Sequence, residues 1–178
     1  EWCHQQESSK EIGVFEVGFG TGLNAYLAAK FAMEKKCHIT FYSVEPIPVS
    51  ADLYAQFNYG KTSEDQALLQ KLHEAKWGEL AVVHSHFFLA KHETTLEAFH
   101  ASRSFDVIFF DAFAPNKQSE VWSLSNLQKC FDMTNTRGCL TTYCAQGQFK
   151  RNLAAAGYEV ETLKGAMGKK EMVRGIRK

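Results

Sequence analysis

The stretch Ile12-Gly13-Val14-Phe15-Glu16-Val17-Gly18-Phe19-Gly20-Thr21-Gly22 decides how the rest of the chain is read. An apolar run from Ile12 to Val17 leads into three alternate glycines, and a helical pattern from Leu23 to Met33 follows. Such an order predicts a buried strand, a glycine turn and a helix N-terminus. Glycines at alternate positions remove side chains where the backbone must bend sharply and approach a ligand. Glu16 places a carboxylate beside that opening. The blander reading, a tight strand-to-helix turn without a ligand, explains the glycines less well because they recur at every second position.

Working outward, strands alternate with helices throughout, which predicts an α/β fold with a mostly parallel sheet and helices on both faces. After the first strand and the helix Leu23–Lys35 comes a strand from His38 to Val44, closing on Glu45-Pro46. Ser63-Glu64-Asp65-Gln66 has the form of a capping box opening a helix to Ala75. Leu80 to His84 reads as the third strand, Thr95 to Phe99 as a short helix, and Phe105 to Phe110 as a buried central strand ending at Asp111. A helix over Ser123–Met133, a fifth strand over Gly138–Tyr143 and a helix over Gln148–Ala156 stopped by Gly157 follow. Glu159–Leu163 and Glu171–Ile176 read as a closing antiparallel pair. Sites in open α/β sheets lie at the carboxyl ends of strands, and four of those ends carry a useful group: Glu16 with the glycines, Glu45, Asp111 and Tyr143.

The 178 residues suit one domain, and a composition of 45% hydrophobic and 22% charged residues is that of a globular protein. Net charge is zero, so no overall field draws the chain to nucleic acid. Locally, Gln148–Lys178 carries eight Lys/Arg against three acids, a segment that could orient a polyanion or simply form a solvated face. The five cysteines form no C-x-x-C pair, as expected of reduced thiols in the cytoplasm. No apolar run is long enough to span a membrane and no signal peptide is visible, so no membrane partner is expected. His84 and His86 could share a strand face as two metal ligands, but no third ligand has matching spacing, so no metal is expected.

The E-x-G-x-G-x-G spacing resembles motif I of S-adenosylmethionine (SAM) methyltransferases, whereas a dinucleotide fingerprint would need glycine where Leu23 stands. A carboxylate at Glu45 could then accept hydrogen bonds from both ribose hydroxyls of an adenosine ligand. Asp111-Ala112-Phe113-Ala114-Pro115 places a carboxylate before an apolar loop stiffened by proline. Asp111 could accept hydrogen bonds from an amine and aim its lone pair at the methyl group, a gain made through orientation. As structural alternatives, Glu45 is a solvated acid before a proline turn, and Asp111 a loop cap.

Further blocks narrow the resemblance. Phe15 to Asn24, Ser43-Val44-Glu45-Pro46, Phe109 to Lys117 with Trp122, Thr142-Tyr143-Cys144-Ala145 and Gly168-Lys169-Lys170-Glu171-Met172 look like the methyltransferase domain of MnmC-like proteins. That resemblance implies a class I, Rossmann-like methyltransferase acting on the 5-aminomethyl nitrogen of uridine or 2-thiouridine at the tRNA wobble position. It implies that Glu16, Gly18, Gly20, Gly22 and Asn24 hold SAM and that Glu45 holds its ribose. Asp111 would be the catalytic group. Phe113, Pro115, Lys117, Tyr143 and Lys169 would bind the tRNA substrate. An FAD-dependent oxidase, separate or fused, would make the substrate amine.

Three departures stand out. The family has a Gly-Asp pair after the third strand whose acid reaches the adenine amine; Ser85-His86 stands there on this reading, leaving His86 or a backbone group for that contact. Gln146 replaces a usual lysine. The family's N-terminal stretch before the glycine motif is missing, which suggests a piece of a longer protein. Aminopropyl transfer from decarboxylated SAM shares the fold, but those enzymes place a second acid soon after the first, and here Ala112, Phe113 and Ala114 follow Asp111. A non-catalytic module binding the cofactor and RNA is the remaining alternative.

Overall fold

The computed structural model describes residues 11–165 and 171–178. Six buried positions in a row make β1 (Ile12–Val17) an interior strand. The chain then turns through Gly18, Gly20 and Gly22, at φ of 92°, 48° and 72°, into α1 (Leu23–Lys35). In order there follow β2 (Ile39–Val44), α2 (Ala51–Tyr54), α3 (Ser63–Glu74), β3 (Leu80–His84), β4 (Phe87–His92) and β5 (Phe105–Phe110). A 3₁₀ turn (Glu120–Trp122), α4 (Leu124–Met133), β6 (Thr134–Thr142), α5 (Gly147–Ala155), β7 (Glu159–Lys164) and β8 (Glu171–Ile176) complete the chain. The strands hydrogen-bond in the order β3-β4-β2-β1-β5-β6-β8-β7. Pairs β2/β4, β1/β5 and β5/β6 are parallel, and β3/β4, β6/β8 and β7/β8 antiparallel.

The chain divides into two compact units, Glu1–Gly13 with Phe19–Glu93, and Val14–Gly18 with Thr94–Lys178. Strand β1 belongs to both. Its Ile12 N–H donates to His38 O (2.8 Å) in the first unit, and Val14–Val17 pair with Val107–Phe110 in the second.

In the first unit, α1 buries Ala25, Tyr26, Ala29 and Ala32, a spacing of three and four that puts them on one face. Phe41, Leu72, Phe87 and Leu89 are fully buried beside them. Helix α3 is opened by Thr62, one residue before the predicted cap; its hydroxyl accepts from Asp65 N–H while the Asp65 carboxylate accepts from Thr62 N–H. Lys30 donates to the same carboxylate at 2.6 Å, and this hydrogen bond holds the Asp65 carboxyl well below the usual range. Thr95–Phe99, predicted as a short helix in the second unit, is a turn closed by Phe99 N–H on Thr95 O (3.1 Å).

The largest departure concerns the third strand. Leu80–His84 is a strand, but it runs antiparallel at the edge and hairpins through Ser85-His86 into β4. The strand parallel to β2 is Phe87–His92. A two-residue hairpin needs no intervening helix, so the strict strand–helix alternation fails here.

In the second unit, Phe15 is fully buried, its ring stacked between Phe99 and Phe105 with centroids 5.1 Å away on each side. Phe15→Ala is therefore expected to cost about 3–5 kcal/mol of stability, seen as a lower urea midpoint at unchanged slope. Ser123, read from the sequence as the first residue of the helix, is instead the cap of α4, and Gly157 (φ 109°) follows α5 as expected. Strand β6 starts at Thr134, ahead of the predicted Gly138. The Arg177 guanidinium donates to Phe131 O (2.7 Å) and Thr134 O (2.8 Å) and covers the Phe131 ring, joining β8 to the α4–β6 junction.

Candidate functional site

Each unit carries its own group of the predicted residues. In the first, β2 delivers Glu45, whose N–H donates to His92 O at 3.0 Å across the parallel pair. One carboxylate oxygen accepts from Gly20 N–H (3.1 Å), the other from Ile47 N–H (3.0 Å). Glu45 thus ties the glycine turn to the loop after β2. Each oxygen keeps a second lone pair, so the carboxylate can still accept from a ribose diol. At Gly20 an added Cβ would meet nothing within 4 Å, so the backbone there faces open space, as a cradle for a ligand requires. At Gly22 a Cβ would crowd Phe19 Cζ (3.1 Å) and His73 Nε2 (3.2 Å), and only glycine fits this left-handed turn. Asn24 lies half-buried in the first turn of α1.

His86 does not stand where the sequence reading put it. It occupies the hairpin at the start of β4, while the carboxyl end of that strand, beside Glu45, is His92-Glu93. The acid next to that strand end is Glu93, exposed directly after β4, which the sequence reading did not single out. Its signal was the apolar Phe87–Ala90 followed by an acid shortly after, obscured by Lys91 and His92. The first unit also holds a cleft of about 630 Å³ walled by Phe19, Tyr54, His73, Trp77 and Lys91, with no precursor in the sequence reading.

In the second unit, Glu16 is buried on β1. A Cβ at Gly18 would lie 3.0 Å from Asp111 O, so glycine lets the turn pass against the end of β5. Asp111 N–H donates to Val17 O (3.1 Å), and Asp111 is exposed. The loop after it is held by backbone anchors. Tyr143 Oη donates to Ala112 O at 2.7 Å, and Trp122 Nε1 donates to Phe113 O at 2.8 Å. Trp122 is fixed in turn edge-on against Tyr143 and Phe149. Burial, with the Asp111 charge adding to it, raises the Tyr143 phenol pKa and keeps this donor protonated. Although its backbone is pinned, the Phe113 ring is 76% exposed. Pro115 is half-buried and Lys117 exposed on the same loop, where Lys117 N–H donates to Ala114 O at 2.7 Å.

Lys169 lies outside the described residues, as do Gly168 and Lys170 of the same block. The basic C-terminal segment is more committed than its count suggests. Lys150 pairs with Glu171 (3.2 Å), Arg174 with Glu161 (2.7 Å) and Lys178 with Glu159 (2.9 Å), so its three acids are each bound to a cation of the segment. Lys164 remains exposed. Among the described residues no cluster of three or more His, Cys, Asp or Glu side chains could hold a metal, and no helix is long and apolar enough to cross a membrane.

Known proteins resemble this chain in sequence and in fold. The MnmC protein of Pseudoalteromonas atlantica, a "tRNA 5-methylaminomethyl-2-thiouridine biosynthesis bifunctional protein", is 29% identical over 191 residues, covering 97% of this chain and 27% of that protein. Its counterpart from Aromatoleum aromaticum is 30% identical over 198 residues, covering 95% and 28%. The chain thus spans little more than a quarter of these relatives. Among solved structures, MnmC2 from Aquifex aeolicus superposes with a TM-score of 0.76 over 93% of this chain and 53% of that one, at 20% identity, which shows a shared class I methyltransferase fold. Residues 66–178, more than half of the sequence, match the family described as "S-adenosyl-L-methionine-dependent methyltransferase", and the chain belongs to that family of SAM-using enzymes.

Proposed function

We propose that the chain, read as a single methyltransferase domain, methylates the 5-aminomethyl nitrogen of uridine or 2-thiouridine at the tRNA wobble position. The observation that carries this reading is the pinned loop Asp111–Ala114: an exposed carboxylate followed by an exposed aromatic ring, on a backbone locked by Tyr143 and Trp122. A carboxylate suits an amine, and an aromatic face suits the base that bears it. The MnmC relatives, named for 5-methylaminomethyl-2-thiouridine biosynthesis in tRNA, support the same substrate.

The cofactor supplies a methyl group activated by its sulfonium. The chain's own residues do the rest. Gly18, Gly20 and Gly22 let the backbone approach the cofactor, with Glu16 and Asn24 flanking the turn. Glu45 accepts from the ribose hydroxyls, and Glu93 replaces His86 as the group facing the adenine amine. Asp111 Oδ accepts from the amine N–H bonds, which aims the nitrogen lone pair and favours one reactive orientation. Phe113 stacks on the pyrimidine, Pro115 keeps the loop in shape, and Lys117 meets the RNA backbone; Lys169, outside the described residues, is assigned to the RNA by the family resemblance alone. The phenol of Tyr143, engaged with Ala112 O, supports the loop rather than the substrate directly. A tRNA substrate places the reaction in the cytoplasm, and an FAD-dependent oxidase, fused or separate, supplies the amine.

The test is nucleoside mass spectrometry of tRNA bearing 5-aminomethyl groups after incubation with SAM and the protein. One added methyl on the wobble nucleoside is expected; tight SAM binding without it would leave a cofactor-binding module. Base–aromatic stacking is worth about 1–3 kcal/mol. Phe113→Ala should accordingly raise KM for the tRNA roughly tenfold at unchanged SAM affinity, and Phe113→Trp should restore it.

A further inference from the structure

Lys91 sits inside the sheet on β4 and is 1% exposed, the only buried lysine or arginine among the described residues. Its ammonium donates to His73 O at 2.7 Å, in the last turn of α3. It also lies 5.1 Å from the centroid of the Phe19 ring and 4.6 Å from that of Trp77. The helix C-terminus and the two ring faces each attract a cation. A well-packed apolar side chain would fill the position without the desolvation cost of a charge. Packing alone therefore does not account for a lysine here.

What the ammonium touches is the cofactor turn. Phe19 is its second residue, buried at 4% exposure and packed edge-to-face on His73 with centroids 5.4 Å apart. His73 Nε2 lies 3.0 Å from Thr21 O, which also accepts from Tyr59 Oη. Burial lowers the His73 pKa, which keeps the ring neutral at and below its ordinary titration range, and its Nε2–H donates to the Thr21 carbonyl. Gly22 leaves the space that Phe19 and His73 fill. Two residues of the turn, Phe19 and Thr21, are thus held from the α3 side, one directly by Lys91 and the other through His73.

We propose that Lys91 is a positioning residue for SAM binding, its positive charge drawing Phe19 and the end of α3 together so that the glycine turn keeps its cofactor-binding shape. This rests on the glycine turn being where the enzyme binds SAM. Burial pulls the Lys91 ammonium down to about 8 from its ordinary value, so the charge drains away as pH rises through that point. The other titratable groups around the cleft are His73 and Glu74 from α3, Lys76 from the turn after it and Tyr54 from α2. All are common to wild type and Lys91 variants, so a ratio of affinities removes their contribution and that of SAM itself.

SAM dissociation constants should be measured by calorimetry for wild type, Lys91→Met and Lys91→Arg at pH 7 and 9.5, at constant ionic strength. A buried cation–π contact of ordinary strength predicts that Lys91→Met binds roughly five- to tenfold more weakly at pH 7. The ratio to wild type should close toward one at pH 9.5, where wild type has lost its own charge. Lys91→Arg should match wild type at pH 7 and keep its affinity at pH 9.5. A ratio for Lys91→Met that is constant with pH would reveal packing alone and overturn the proposal, as would unweakened binding at pH 7. Wild type alone gives an independent reading if the variants do not fold. The fluorescence of Trp77 should titrate with a midpoint near pH 8, and saturating SAM should move that midpoint upward. A midpoint that SAM leaves in place overturns the proposal, whereas a wild type that binds no SAM at any pH instead removes the reading on which it rests.

Discussion

Asp111→Ala is expected to lower methyl transfer by roughly 10²- to 10³-fold, the scale of losing a group that orients a nucleophile, while SAM affinity changes less than about threefold. The asymmetry follows from where Asp111 stands. It leaves β5 exposed, with its backbone N–H on Val17 O, and the loop beyond it is anchored by Tyr143 and Trp122 through carbonyls that the substitution does not touch. A urea unfolding midpoint measured beside the rates separates lost activity from lost fold. Asp111→Asn keeps one acceptor oxygen but turns two donors toward the amine, so it should recover little. Single-turnover rates beside calorimetric SAM affinities separate the two effects. Parallel loss of both would assign Asp111 to the cofactor instead of the amine.

Glu45→Ala should act the other way, weakening SAM binding roughly 10- to 100-fold. Charge-assisted hydrogen bonds of the kind it offers are worth about 1.5–3 kcal/mol, and two effects coincide. The variant loses the acceptor for a ribose diol, and it releases the Gly20 and Ile47 N–H groups that the carboxylate gathers. Glu45→Gln is the sharper experiment. Its amide can satisfy one of those N–H groups through oxygen but must turn a donor toward the other. An affinity between wild type and Glu45→Ala is expected, with the rate of transfer at saturating SAM close to wild type. If Glu45→Gln bound SAM as tightly as wild type, the carboxylate would be a loop brace and not a ribose ligand.

Much of the fold was legible because it rests on local pattern. The run Ile12–Val17, the alternate glycines and the helical pattern from Leu23 to Met33 declare strand, turn and helix within a few residues, and the structure places β1 and α1 where they were expected. Phe105–Phe110 likewise reads as a central strand because a near-continuous apolar run, broken only by Asp106, is stable only when covered on both faces. Glu45 and Asp111 could be picked out for the same reason, as carboxylates at the ends of such runs.

Pairing between distant segments leaves no such local pattern. Which strand lies beside β2 is decided by hydrogen bonds between backbones, and Phe87–His92 wins that place although Leu80–His84 looks as strand-like; Glu93 and not His86 therefore follows the parallel strand. The basic excess of the C-terminal segment is a count along the chain. Only the register of β7 on β8 sets Arg174 opposite Glu161 and converts part of that excess into ion pairs.

By itself, then, the sequence determined most of the elements, the glycine turn and the carboxylates that follow β2 and β5, since these depend on neighbours a few residues apart. The tertiary structure alone decided the third strand-end acid, the locked loop behind Asp111 and the Lys91–Phe19–His73 clamp, since a buried charge is tolerable only where a carbonyl and two ring faces arrive from elsewhere in the chain.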